Sequence, residues 1–274
     1  MSDHERAVKA VILAGGLGKR MRSEAADVSL TPAQKAAADA GLKAIVPLAK
    51  GRSLLELSLA NLNAAGFSKF VIVVGTQNEA IREHCSGLEF DIDLAVQEKP
   101  LGTANALLAA ESFVSEKELF GVFNSDDLYP APPLRELIAA AKPAMVAFER
   151  NALIERGNIS AERVAKFATI ETDANGDLKA IVEKPESVDA DALISMNAWV
   201  FSPKIFAACR AVTPSVRGEY ELTAAAEYLI ETIGENIAAI PAKAGVLDLS
   251  SRADIAGIDK FLAEANDDVH SRTH

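Results

Sequence analysis

Short apolar runs recur along the chain at residues 8–13, 70–74, 119–123 and 144–148, rich in β-branched and aromatic side chains and separated by alanine-rich segments of helical character. Continuous apolar strands alternating with helices predict a parallel sheet covered on both faces, because a strand with one wet face would alternate in polarity instead. The first half is therefore expected to be a doubly wound α/β unit. Within it, residues 31–41 carry a capping threonine, Thr31, a proline at the first helical position, Pro32, and a glycine stop, Gly41, and so predict a short helix. Another helix is predicted over residues 104–110. In the second half, residues 167–171 and 178–182 read as strands joined by Asp173-Ala174-Asn175-Gly176-Asp177. Asn175 and Gly176 are expected to supply the positive φ angles of a tight hairpin. Residues 193–201 predict a further strand, and helices are expected around 220–233 and 253–265. No repeat and no low-complexity linker interrupts the pattern, so one domain over 1–274 is expected, with halves at about 7–150 and 151–265.

The segment after the first apolar run, Leu13-Ala14-Gly15-Gly16-Leu17-Gly18-Lys19-Arg20-Met21, is too rich in glycine to pack a core and ends in cations. Glycines let backbone N–H groups approach an anion, and Lys19 and Arg20 add charge, so the expected visitor is a polyphosphate. The dinucleotide fingerprint G-x-G-x-x-G fails here for want of its last glycine. The Walker A loop fails because Arg20 stands where Ser or Thr is needed and Leu13 where the first glycine is needed. Ligands of doubly wound sheets lie outside the carboxyl ends of the strands. The glycine loop, Gly75-Thr76 and Asn124-Ser125-Asp126-Asp127 all follow predicted strands, so they are expected to meet on one rim.

A net charge of -11 argues against a general nucleic-acid or anionic-membrane surface, so cations near the glycine loop would be local and the partner small. The chain has 2 cysteines, too few for a disulfide framework or a zinc quartet, and residues 1–6 lack the apolar stretch of a signal peptide. A cytoplasmic location is the expectation. No apolar run is long enough for a bilayer. The 4 histidines, His4, His84, His270 and His274, have no metal-ligand spacing and are assigned no role.

The glycine loop resembles the L-A-G-G-x-G-T-R-[LM] signature of the sugar-phosphate nucleotidylyltransferases, with Lys19 in place of threonine. Lys43-Ala44-Ile45-Val46-Pro47 resembles that family's K-x-x-x-P, Gln97-Glu98-Lys99-Pro100-Leu101-Gly102-Thr103-Ala104 its base-reading loop, and Glu183-Lys184-Pro185 its Glu-Lys-Pro mark. The resemblance extends over about residues 7–262. It implies a Rossmann-like fold with a mixed, mostly parallel sheet and a small β-rich sugar-binding lobe. The implied reaction joins a nucleoside triphosphate to a sugar 1-phosphate with Mg2+ and expels pyrophosphate. Leu13, Ala14, Gly15, Gly16, Gly18, Lys19, Gln97, Pro100, Gly102 and Thr103 would then bind nucleotide. Arg20 and Lys43 would hold the β and γ phosphates, and Lys184 would bridge the sugar phosphate and the α phosphate. Asp126, Ala168, Glu183, Asn197 and Glu221 would face the sugar.

Adjacent side chains on an extended segment point opposite ways, so only one of Asp126 and Asp127 is expected to face a metal. The resemblance puts that role on Asp126, with Asp248 as its distant partner. A glutamine amide both donates and accepts, which suits the imide edge of uracil or thymine, so Gln97 favours UTP or dTTP. The alternatives are a guanylyl or cytidylyl transferase acting on a sugar, cyclitol or other alcohol phosphate, and a non-catalytic subunit that senses sugar nucleotides. Assembly into a homo-oligomer stays open. For residues 23–42, where the family needs far fewer residues, a lid and a surface decoration are both open readings.

Overall fold

The computed structural model describes residues 8–16, 18–23, 28–183 and 185–271, without the side chains of residues 49 and 265–271. The strands are β1 (Lys9–Leu13), β2 (Lys69–Gly75), β3 (Asp91–Gln97), β4 (Phe120–Asn124), β5 (Asp127–Leu128), β6 (Ala144–Glu149), β7 (Thr169–Thr172), β8 (Leu178–Val182), β9 (Leu193–Phe201), β10 (Ala238–Ala242) and β11 (Leu247–Asp248). A 9-stranded sheet runs in the order β10-β6-β9-β4-β1-β2-β3, with the hairpin β7–β8 attached through β9. Neighbours are parallel except around β9, which runs antiparallel to β4, β6 and β7, and within the antiparallel hairpin β7–β8. The sheet is thus mixed and mostly parallel, as expected, and β9 and β10 tie the second half of the chain into the sheet of the first.

Alternation along the buried strands divides the core. Ala10 and Ile12 of β1 join one cluster with Leu55, Leu59, Ile72 and Phe123, and Val11 and Leu13 join another with Val73, Val122, Trp199 and Leu222. Helices therefore cover both faces of the sheet, and burial of each apolar side chain contributes about 1.5–3 kcal/mol. Register then fixes the rim. Leu13 pairs with Val73 and with Asn124, and Gly75 pairs with Gln97. The loops after β1, β2, β3 and β4 accordingly open on the same edge of the sheet.

The structure adds strands to those expected, β3 among them, and differs from the expectation at one turn. β3 is an edge strand with exposed Asp91 and Asp93, and this alternation hid it from a search for apolar runs. At the hairpin only Gly176 has a positive φ, 79°. The turn is held instead by the Asp173 carboxylate, which accepts from the N–H groups of Asn175 and Asp177 at 2.8 and 3.0 Å, so Asn175 keeps an ordinary backbone.

The helix Pro32–Ala40 is tied into the fold by side chains at both of its ends. Thr31 and Gln34 form a reciprocal cap, and Gln34 reaches on to the Pro47 carbonyl at 3.1 Å and Asp259 at 3.0 Å. Buried Arg252 donates to the carbonyls of Met21 (2.7 Å) and Arg22 (3.3 Å) and to Asp39 (2.6 Å). One guanidinium thus joins the helix Arg252–Ser271, the segment after the glycine loop and the helix Pro32–Ala40. Arg252→Ala would leave those carbonyls without their donor. The expected loss is about 1–3 kcal/mol of stability, read in a thermal melt as roughly 2–4 °C per kcal/mol; an unchanged melting temperature would contradict the brace.

Candidate active site

A cavity of about 630 Å³ opens at the carboxyl edge of the sheet and runs from the glycine loop to the turn after β4. Leu13, Ala14, Gly15, Gly16, Gly18, Lys19, Arg20, Lys43, Gln97, Pro100, Gly102, Thr103, Asp126, Asn197 and Glu221 all line it. A smaller cavity of about 190 Å³ adjoins it on the side of the hairpin and is lined by Ala168, Glu183, Asn197 and Glu221 among others. Thr103, Phe167, Asn197, Arg217 and Glu221 belong to both walls, so the two spaces are contiguous. Asp248 lines neither. Lys184 lies outside the described residues.

The glycine loop leaves β1 with the Ala14 N–H bonded to the Val73 carbonyl at 2.8 Å, and turns at Gly18, whose φ is 59°. A Cβ at Gly18 would lie 2.2 Å from the Gly41 carbonyl oxygen. The loop therefore abuts the end of the helix Pro32–Ala40, and glycine is required both for the backbone angle and for the contact. Lys19 and Arg20 follow, and neither has an ion-pair partner among the described residues. They stand free to meet an anion.

Across the cavity, Asp126 sits on the turn between β4 and β5, and Lys43 donates to it at 3.0 Å. Its side chain is 32% exposed, whereas the neighbouring Asp127 is buried, accepting from Asn124 and Tyr129 at 3.1 Å each. The pair does point opposite ways, with Asp126 toward the cavity. β11 places Asp248 directly opposite Asp127. Burial, with the Asp248 and Asp126 charges adding to it, holds Asp127 well above the usual carboxylate range. Burial and then Asp126 likewise raise Asp248. Asp127 Oδ1 is buried without a hydrogen-bond partner. This corner is crowded with negative charge.

Gln97 is buried, and its side-chain N–H groups are taken by the Gly102 carbonyl (3.2 Å) and Asn105 (2.9 Å). Only its carbonyl oxygen remains, facing Gly15, where an added Cβ would come within 2.5 Å. Gln97 therefore offers an acceptor alone, a narrower chemistry than the donor-and-acceptor pair expected from its amide. Gly102 is pressed on the loop before the helix Leu222–Glu231: Tyr220 N–H donates to Leu101 at 2.8 Å and Ala104 N–H to Tyr220 at 2.9 Å.

On the smaller cavity, Asn197 has a φ of 55° and sits on a register shift of β9 against β6. Asparagine tolerates that conformation, and the irregularity turns it to the cavity while its side chain accepts from Trp199 at 3.3 Å. Thr223 donates to Glu183 at 3.0 Å, and Arg217 to Glu221 at 2.9 Å. Arg217 and Lys166 are wall residues that the sequence reading missed. Arg217 precedes Gly218-Glu219-Tyr220-Glu221 and its proximity to Glu221 in sequence was the available signal; Lys166, beside Phe167 and Ala168, had none beyond adjacency.

The sequence matches the nucleotidyl transferase family over residues 9–264. A glucose-1-phosphate thymidylyltransferase of Streptomyces griseus is 28% identical over 266 residues, covering 95% of this chain and 67% of that protein. A UTP–glucose-1-phosphate uridylyltransferase, AglF of Haloferax volcanii, is 29% identical over 262 residues, covering 94% and 97%. Among solved structures, a UDP-glucose pyrophosphorylase bound to UDP-glucose superposes with a TM-score of 0.72 at 18% identity, covering 94% of this chain and 99% of that one. No helix among the described residues is long and apolar enough to cross a membrane.

Proposed function

Because the chain belongs to the nucleotidyl transferase family and is an enzyme of its sugar-1-phosphate class, we propose that it transfers a uridylyl or thymidylyl group from UTP or dTTP to a hexose 1-phosphate. The observation that carries this reading is that Lys19, Arg20 and Asp126 line one cavity, which continues into a second one lined by Glu183, Asn197 and Glu221. The triphosphate lies along the glycine loop, and the sugar fills the space between Ala168, Glu183, Asn197 and Glu221. A sugar-phosphate oxygen attacks the α-phosphorus, the bond to the β-phosphate oxygen breaks, and pyrophosphate departs with its charge held by Arg20, Lys19 and Lys43. Arg217, at the junction of the two spaces, is placed for the sugar phosphate. Lys184 keeps the role the resemblance gives it, drawing the reacting phosphates together.

The lone acceptor of Gln97 supports a base that presents a donor there, as the imide N–H of uracil or thymine does. Two relatives similar in sequence are named for these two bases, while a structure of similar fold is named an inositol-1-phosphate CTP transferase. Among the described residues no three carboxylate, histidine or cysteine side chains are grouped as a protein cage, and Asp126 alone of the three aspartates lines the cavity, which fits a divalent cation that takes most of its ligands from phosphate and water. Asp126 would hold it from the cavity side, with Asp248 as the second carboxylate in its field, and Mg2+ suits one or two carboxylates plus phosphate oxygens. When bound, it supplies charge neutralisation for the phosphates in transfer. Buried, unpaired Cys85 and Cys209 suit a reducing cytoplasm.

Pyrophosphate release measured over a matrix of triphosphates and sugar 1-phosphates tests the proposal. UTP or dTTP with a hexose 1-phosphate is expected to give the fastest release, abolished by EDTA and restored by Mg2+. Fastest release from CTP, GTP or ATP would overturn the base assignment, and no release from any pair would overturn the reaction.

A further inference from the structure

Asp248 lies opposite Asp127 and two residues before Ser250 of the cavity wall, yet lines neither cavity, and its carboxylate is engaged elsewhere. Its backbone is held in both directions by one side chain: Asn158 accepts from the Asp248 N–H at 2.8 Å and donates to its carbonyl at 2.9 Å. Its carboxylate is engaged by Arg163 Nη2, while Nη1 of the same guanidinium donates to Asp254 at 2.7 Å. Asp254 is fixed in turn by the N–H groups of Ser250 and Ser251, at 3.1 and 2.7 Å. A guanidinium is a permanent charge with donors in a rigid fork, so it spans two carboxylates in a fixed arrangement. Asp248 thus arrives at the site with a guanidinium bridged to a second carboxylate already on it, whereas the cation paired with Asp126 is the single ammonium of Lys43.

We propose that Arg163 competes with the divalent cation for Asp248: it keeps this carboxylate off the cavity in the substrate-free chain, so the cation is first held by Asp126. Asp248 becomes available only when the guanidinium passes wholly to Asp254. Arg163 is a positioning residue that sets cation affinity, and it touches neither substrate. The inference rests on the cation-dependent reading of the site given above.

Mn2+ binding to the full chain without nucleotide, followed by the paramagnetic resonance of free Mn2+, tests it. Arg163→Gln is expected to tighten Mn2+ binding by about tenfold, the size of effect seen when partners of metal ligands are changed but of opposite sign, because this partner competes with the cation instead of orienting its ligand. Asp248→Asn alone should shift affinity by less than about twofold, and added to Arg163→Gln it should abolish the gain. Unchanged or weaker binding in Arg163→Gln, or a tenfold loss in Asp248→Asn alone, overturns the proposal. Should Arg163→Gln fail to fold, Arg163→Lys decides: it keeps the charge but cannot span both carboxylates, so tighter binding supports the competition and unchanged binding refutes it. No Mn2+ binding by the wild-type chain, with or without UTP, would instead remove the cation-dependent reading on which the inference stands.

Discussion

Turnover is expected to fall roughly 10²–10³-fold in Lys43→Ala, the loss typical of removing one preorganised donor from a developing charge. Lys43 is held in a short turn at the cavity wall, its ammonium 3.0 Å from Asp126. Two roles are open to a lysine in that place. If it only neutralises Asp126, the pair is a partly buried ion pair at the cavity wall whose loss costs on the order of 1 kcal/mol of stability and leaves turnover nearly unchanged. If it serves the triphosphate, the ammonium leaves Asp126 for phosphate during the reaction, and alanine removes about 3–4 kcal/mol of transition-state stabilisation. Single-turnover pyrophosphate release at saturating Mg2+ separates the two, with a thermal melt as the control for folding. Turnover within threefold of wild type would reduce Lys43 to a counter-ion. Lys43→Arg is expected to recover less than tenfold, because a planar fork does not replace a compact ammonium at the end of a short turn.

The parts of this molecule that were legible in its sequence are those where one local rule acts alone. Apolar runs marked β1, β2, β4 and β6, and threonine, proline and glycine marked both ends of the helix Pro32–Ala40. The motif residues of the glycine loop, the Gln97 loop and the turn at Asp126 converge because register along parallel strands carries each to the same rim. What stayed hidden depends on partners distant in sequence. The edge strands β3 and β10 are half polar or carry Pro241, so neither forms an apolar run. The amide of Gln97 looked bifunctional until Gly102 and Asn105 were seen to take its donors. Asp248 looked like a free ligand until Arg163, Asn158 and Asp254 were seen around it, and those residues belong to no motif. The brace through Arg252 needs the carboxyl-terminal helix beside the glycine loop, a contact that no local pattern encodes.

Gly102→Ala is expected to damage stability and the use of both substrates together. Gly102 has a φ of 116°, and a Cβ there would lie 2.5 Å from the Tyr220 carbonyl oxygen and 2.6 Å from its nitrogen. Both contacts are with backbone, so no side chain can swing aside. Backbone strain and overpacking each cost about 1–3 kcal/mol, which corresponds to roughly 2–4 °C of melting temperature per kcal/mol. The functional consequence follows from what the contact joins. Leu101 and Ala104 pair with the backbone of Tyr220, and Thr103 accepts from Leu222 N–H at 2.8 Å, so the loop that carries Gln97 and the segment that carries Arg217 and Glu221 are fastened as one unit. Pushing them apart displaces the wall of the large cavity and that of the small one together. KM should therefore rise for the triphosphate and for the sugar phosphate alike, whereas a loop serving the base alone would raise only the first. Gly16→Ala, whose added methyl meets nothing within 4 Å, is the control for stability and should melt with wild type. A Gly102→Ala protein in which only the triphosphate KM rises would show that the two loops move independently, and that the sugar side is positioned by the hairpin and β9 without help from the nucleotide side.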